Sequence, residues 1–180
     1  MLLPPLLHDG AGVAGGFSSG LLHPLTGPDH LAAMVAVGLW GAFLGAPAIW
    51  LLPVIFPLVM AVGGALGVAG VAVPGVETGI ALSAVALGAM VAAAAKPPLP
   101  FAAILVALFA IFHGHAHGTE LPESADALSY SLGFVISTGL LHLAGIGLGF
   151  AVEKPAGRTF VRACGAVICL AGLGFLFGVL

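Results

Sequence analysis

Apolar residues run along this chain in long blocks, at positions 10–44, 47–71, 75–95, 99–117, 125–152 and 157–180. The blocks do not alternate in character and are far longer than the strands of a membrane barrel, so helix is the only viable secondary structure for them. The breaks carry turn chemistry: Gly45-Ala46-Pro47, Val73-Pro74-Gly75, Lys96-Pro97-Pro98, the polar stretch 118–126, and Glu153-Lys154-Pro155-Ala156-Gly157. At about 20 apolar residues per crossing, the pattern predicts an all-α, polytopic transmembrane bundle of six spans. It leaves no room for a soluble domain, so residues 1–180 form a single transmembrane domain.

The first block is too long for one crossing. As a continuous helix it would reach about 52 Å, against a hydrocarbon core of about 30 Å. Pro24, Gly27 and Pro28 interrupt it near its middle. Proline removes a backbone donor and clashes with the preceding turn, so the expected form is a discontinuous span. A short helical piece should give way to an irregular stretch over residues 23–29, then a helix from about His30 to Leu44. If the two pieces cross separately, the spans number seven. Non-helical backbone at membrane depth survives only against protein or a cavity, and transporters place substrate sites at such breaks.

Composition agrees with the bilayer as solvent. The chain is 61% hydrophobic and 6% charged, against roughly 25% charged in soluble domains, and its mean hydropathy is +1.23. A net charge of −3 without a basic stripe gives no footprint for nucleic acid. Lys96, Lys154, Arg158 and Arg162 fall on one side when spans are counted alternately, and the positive-inside rule makes that side cytoplasmic. Glu77, Glu120, Glu123 and Asp126 then lie outside, with both termini if the crossings are six. Cys164 and Cys169 are five residues apart in an apolar helix, about 140° around its axis, so neither a disulfide nor a shared metal is expected. Residues 1–7 are apolar but lack the charged n-region and the length of a secretory signal. The 28 glycines read as contacts that let helices approach closely. Gly-Leu-Leu-His occurs twice, at 20–23 and 139–142, as a chance repeat or the trace of an internal duplication.

Against this background the ionisable residues stand out, because an Asp at the bilayer centre costs roughly 2.5–3.5 kcal/mol on insertion scales. They gather in His23-Pro24-Leu25-Thr26-Gly27-Pro28-Asp29-His30 and in Phe112-His113-Gly114-His115-Ala116-His117-Gly118-Thr119-Glu120. On a helix His113 and His117 share a face, and Glu120 rejoins it if the helix runs on. His115 points away unless Gly114 or Gly118 breaks the helix. Imidazole with carboxylate suits Zn, Cu, Fe and Ni. Neither cluster holds the thiolates usual in structural zinc sites. Met34, Met60 and Met90 are available as soft ligands. Asp29 is open to three roles: metal ligand, partner orienting an imidazole, or helix N-cap. His142, beside Ser137 and Thr138, is either a further ligand or a packing residue. His8 and Asp9 read as solvated or as an outer capture point, and Glu77 as capping or solvating the start of the third span. Gly16-Phe17-Ser18-Ser19-Gly20 matches the G-x-S-x-G of serine hydrolases, but that motif needs a strand-to-helix turn.

The residues His23-Pro24, Gly27, Asp29-His30, Met34, Val37-Gly38, Phe112-His113-Gly114, Ala116-His117-Gly118, Glu120, Gly139-Leu140-Leu141-His142 and Gly145-Ile146-Gly147 resemble the HupE/UreJ family of hydrogenase- and urease-associated nickel permeases. The likeness runs from about Gly10 to the end. The first motif is also similar to the His-x4-Asp-His signature of the broader nickel/cobalt transporters, although here five residues separate His23 from Asp29. The resemblance implies a small multi-pass protein of the cytoplasmic membrane that moves Ni²⁺, with Co²⁺ as the alternative, into the cell. It also implies a functional link to hydrogenase or urease maturation; self-association is left open, and no prosthetic group is expected. Family members generally carry a cleaved signal sequence.

The metal-site candidates are therefore His23, Asp29, His30, His113, His115, His117, Glu120 and His142. The expected arrangement is an outer set, His113, His117 and Glu120, and a deeper set at the broken helix, His23, Asp29 and His30. Two other classes compete with a permease: an intramembrane metalloenzyme, and a non-transporting metal sensor or accessory subunit. No HExxH pattern supports the first, and the chain has no P-loop for ATP-driven transport.

Overall fold

A computed structural model of the protein describes residues 13–121 and 126–180. Residues 1–7, His8, Asp9 and Glu123 lie outside the described residues. Seven α-helices and no strand occur among the described residues: α1 Val13–Thr26, α2 Pro28–Leu44, α3 Ala48–Val68, α4 Val76–Ala92, α5 Leu99–Thr119, α6 Ala127–Gly149 and α7 Pro155–Leu176. Helices α3, α5, α6 (extended by a 3-10 turn, Phe150–Glu153) and α7 are long and apolar enough to cross a membrane. α2 and α4 are apolar but have 17 residues each. The outward side chains of α3, α5, α6 and α7 are lipid-like: Trp50, Leu58, Ile104, Leu128 and Leu170 are all exposed. An apolar surface this extensive is stable against lipid and not against water.

The first block is broken, but more sharply than the sequence suggests. α1 continues through His23 and Pro24 to Thr26, so residues 23–29 are not an irregular stretch. Pro24 lies in the last turn, where its missing donor costs only one intrahelical bond. The Thr26 hydroxyl donates to the His23 carbonyl at 2.8 Å, supplying one of the partners that a helix end lacks. Gly27 alone is non-helical, extended at φ −92°, ψ 103°. Pro28 then opens α2 at the position where its fixed φ is favourable.

The helices associate in three close pairs. α1 and α2 together run alongside α6 in the same direction, with Gly20 on the Tyr130 carbonyl and Gly38 on the His142 carbonyl. α3 and α5 also run in parallel, with Gly63 against the Ile111 carbonyl and Gly67 against that of His115. α4 and α7 are antiparallel, Gly88 facing Gly165 and Gly172 facing Val85. Neither Gly114 nor Gly118 breaks α5; both let its backbone lie against α3 at Met60 and Gly64. The two Gly-Leu-Leu-His copies occupy unlike settings, since a Cβ at Gly139 would point into open space while one at Gly20 would run into the Tyr130 backbone.

The basic side chains are grouped apart from most of the acidic ones, Glu153 beside Lys154 being the exception. At one end the Arg162 Nε donates to the Ala92 carbonyl (2.8 Å), and the Trp40 Nε1 to that of Ala95 (3.2 Å), capping the terminus of α4. Lys96 sits over the Phe43 ring there, 5.3 Å from its centroid. Glu77, Glu120 and Asp126 lie at the other end. The Asp126 carboxylate caps α6 by accepting from the Ser129 N–H at 2.7 Å, and hydrogen bonding from Ser129 holds its pKa below the ordinary value. Cys164 and Cys169 are unbridged. Gly16 to Gly20, the hydrolase-like pattern, is simply part of α1.

Candidate metal centre

Between these ends α1, α2, α5 and α6 converge on a nest of imidazoles. α5 stays helical to Thr119, and Glu120 follows as its C-cap, so Glu120 comes round to the His117 side. His23, His117 and Glu120 place a ligand atom each within 4.8 Å of one another. His23 Nε2 is 3.3 Å from Glu120 Oε2, and His117 Nδ1 is 3.9 Å from the same oxygen. This outer group is partly open, the side chains of His23 and Glu120 being 32% and 50% exposed and that of His117 7%.

One turn deeper along α5, about 6 Å, lies a second group. The His30 ring centroid is 4.5 Å from that of His117 and 4.8 Å from that of His113. His113 is fully buried, and His30 and His117 nearly so. Four of their ring nitrogens, His30 Nε2, His113 Nδ1 and both of His117, are buried without a hydrogen-bond partner. Buried polar atoms are normally satisfied, so four orphaned nitrogens on rings packed this closely make the group a candidate binding place. His117 belongs to both groups.

The sequence suggests one layer per motif; the fold interleaves them. The outer group takes His23 from the first motif with His117 and Glu120 from the second, and the inner takes His30 with His113 and His117. Asp29 is neither the N-cap, which is Gly27, nor a member of the outer group. Its Oδ1 accepts from both the backbone N–H and the ring Nδ1 of His30, each at 2.8 Å, which aims His30 Nε2 inward. Gly27 leaves room for this turn, since a Cβ there would sit 3.2 Å from both Asp29 Oδ1 and His30 Nδ1.

Two candidates stand apart. His115 points to the other side of α5, where its Nε2 lies 2.8 Å from the Val71 carbonyl. His142 is buried further toward the basic end, its ring 5.4 Å from Phe56. Phe56 touches His113 at the same separation, so its ring lies between the inner group and His142. His142 also approaches the Pro53 carbonyl, whose usual helical donor would be residue 57, here a proline. Neither ring nitrogen has hydrogen-bond geometry. Met34 and Met60 pack in the core.

Three further side chains reach these imidazoles without any metal-ligand pattern in the sequence. Phe134 lies 4.1 Å from the His117 ring, and Tyr130 6.0 Å from that of His23. Ser83, fully buried on α4, is 2.9 Å from His113 Nε2. A lone hydroxyl in the middle of an apolar helix was the only available signal for Ser83. A cavity of about 430 Å³ between α3, α5 and α6 reaches His117 from the side. Apart from His117, Tyr130 and Ser131 its lining side chains are apolar, which offers a hydrated ion little.

The profile of the family described as HupE / UreJ protein matches residues 2–175. The chain is 46% identical over 179 residues to "Protein HupE" of Rhizobium leguminosarum bv. viciae, an alignment covering 99% of this chain and 94% of that protein. No solved structure matches.

Proposed function

This chain belongs to the HupE/UreJ family, and from that premise we propose that it is a secondary permease carrying Ni²⁺, with Co²⁺ as the alternative, across the cytoplasmic membrane into the cell. The family is one of transport and accessory proteins, and the chain is not an enzyme. It is a multi-pass membrane protein with several helices able to span a bilayer. In this reading α1 and α2 together make one crossing beside α6, giving six spans in a single domain, and the basic end is cytoplasmic.

The observation that carries the proposal is His117. It is shared between a partly exposed group and a buried one, and neither of its nitrogens has a hydrogen-bond partner. An ion entering from outside would meet Glu120 and His23 first, and their carboxylate and imidazole replace part of its water. Ligation by His117 then allows transfer to His30 and His113 without passing through a state stripped of donors. His142, across the Phe56 ring, is the next nitrogen toward the cytoplasm. His115 is left to packing. Nitrogen and oxygen donors suit several late first-row divalent ions, and the choice of nickel rests on the family. For a divalent cation an inside-negative potential supplies about 4.6 kcal/mol per 100 mV, enough to drive uptake without a nucleotide.

The test is uptake of radioactive nickel by proteoliposomes holding the purified chain under an imposed potential. Accumulation that depends on potential and is lost in His117→Ala is the expected result. Tight nickel binding with no movement would leave the accessory or sensor role instead.

A further inference from the structure

We infer that Ser83 is a positioning residue that fixes which nitrogen His113 offers to the ion, an inference that rests on the permease reading above. The Ser83 Oγ lies 2.6 Å from the Ile80 carbonyl oxygen and 2.9 Å from His113 Nε2. Two oxygens that close require a proton between them, and the carbonyl has none, so the single hydroxyl hydrogen is directed at Ile80. The Ser83 oxygen can then only accept from the ring, which places the His113 proton on Nε2. His113 Nδ1 is left as a bare lone pair, buried and without a partner. A proton there instead would create an unsatisfied buried donor and set two lone pairs against each other at Nε2.

His30 is handled in the mirror sense. Asp29 holds its proton on Nδ1, leaving Nε2 as the unpartnered atom. The inner group is thus primed as two lone pairs from opposite ring positions, one set by a carboxylate next in sequence and the other by a hydroxyl thirty residues away on α4. Metal-ligating imidazoles generally have the second nitrogen held in this way, and losing that partner costs about 10–100-fold in metal affinity. Ser83 touches no ion itself; it acts through His113, and it ties α4 to the site.

The experiment uses the full chain in lipid nanodiscs, with ¹⁵N-histidine solid-state NMR and nickel-binding isotherms on wild type, Ser83→Ala and Ser83→Thr. The His113 signals are assigned by their loss in His113→Gln. We expect the metal-free wild type to show the Nε2–H tautomer at His113, and Ser83→Ala to mix tautomers and weaken nickel binding about 10–100-fold. Ser83→Thr, which keeps the hydroxyl, should retain the tautomer and most of the affinity. A wild-type His113 with its proton on Nδ1 would overturn the inference whatever the variants do. So would unchanged tautomer and affinity in Ser83→Ala. Nickel uptake by wild-type proteoliposomes, measured in parallel, keeps failure here distinct from failure of the permease reading.

Discussion

α1–α2 and α5 deliver imidazoles to the same place by opposite means. The first pair stops a helix at Gly27 and restarts it with Pro28, and the exposed backbone of that joint lets Asp29 turn back on His30. α5 runs unbroken past both of its site histidines and relies on the four-residue repeat to put them on one face. At the joint, orientation is local: the residue next in the chain holds the ring. On α5 it is remote, since Ser83, Phe134 and Glu120 approach from other elements or from the helix end. The lesson is that a broken helix can carry its own orienting group, whereas a continuous one must borrow it. Proposed roles follow the same division, with the joint giving His30 a fixed aim and α5 giving His117 two open nitrogens.

The contrast can be attacked in order of expected effect. His117→Ala removes the donor common to both layers and should reduce nickel uptake to that of empty liposomes. His23→Ala, which strips only the outer layer, should raise KM more than it lowers the maximal rate. Kinetics that cannot tell these two variants apart would remove the basis for a shared ligand.

Gly114→Ala tests the packing that holds α5 in place. Its Cβ would run into the Met60 carbonyl, and overpacking of this kind costs about 1–3 kcal/mol. Gly139→Ala, with open space around it, should leave thermal stability in detergent unchanged. Equal melting temperatures for the two would refute the close α3–α5 contact.

Asp29→Asn keeps the shape of the joint but removes the charge that holds the His30 Nδ1 proton. Nickel affinity should fall about 10–100-fold, with helix content by circular dichroism preserved. His115→Ala should have the least effect. It forfeits one hydrogen bond to Val71, worth about 1 kcal/mol, and binding isotherms should superimpose on wild type. Weakened binding in that variant would return His115 to the site.

Much of this molecule was legible in advance. An apolar block too long for the bilayer and carrying two prolines has to break, and it does, although the helix persists through Pro24 because a proline in a last turn forfeits little. The clustering of histidines, set against the cost of burying them, anticipated which side chains the fold gathers. So did the spacing that set His113 and His117 together and turned His115 away.

Periodicity relates residues on one helix and is silent about depth between helices. It therefore could not reveal that His23 meets Glu120, that His30 falls against both His113 and His117, or that His117 joins the two layers. Those placements are set by glycine contacts that fix how far α1–α2 slides along α6 and α5 along α3. A separate contact of α4 with α5, Gly79 against Phe112, accompanies the approach of Ser83 to His113. Sequence determined which residues had to find partners in the membrane, because the cost of burying a polar group is a property of the residue. Tertiary structure decided which partners they found, because that depends on the register between helices.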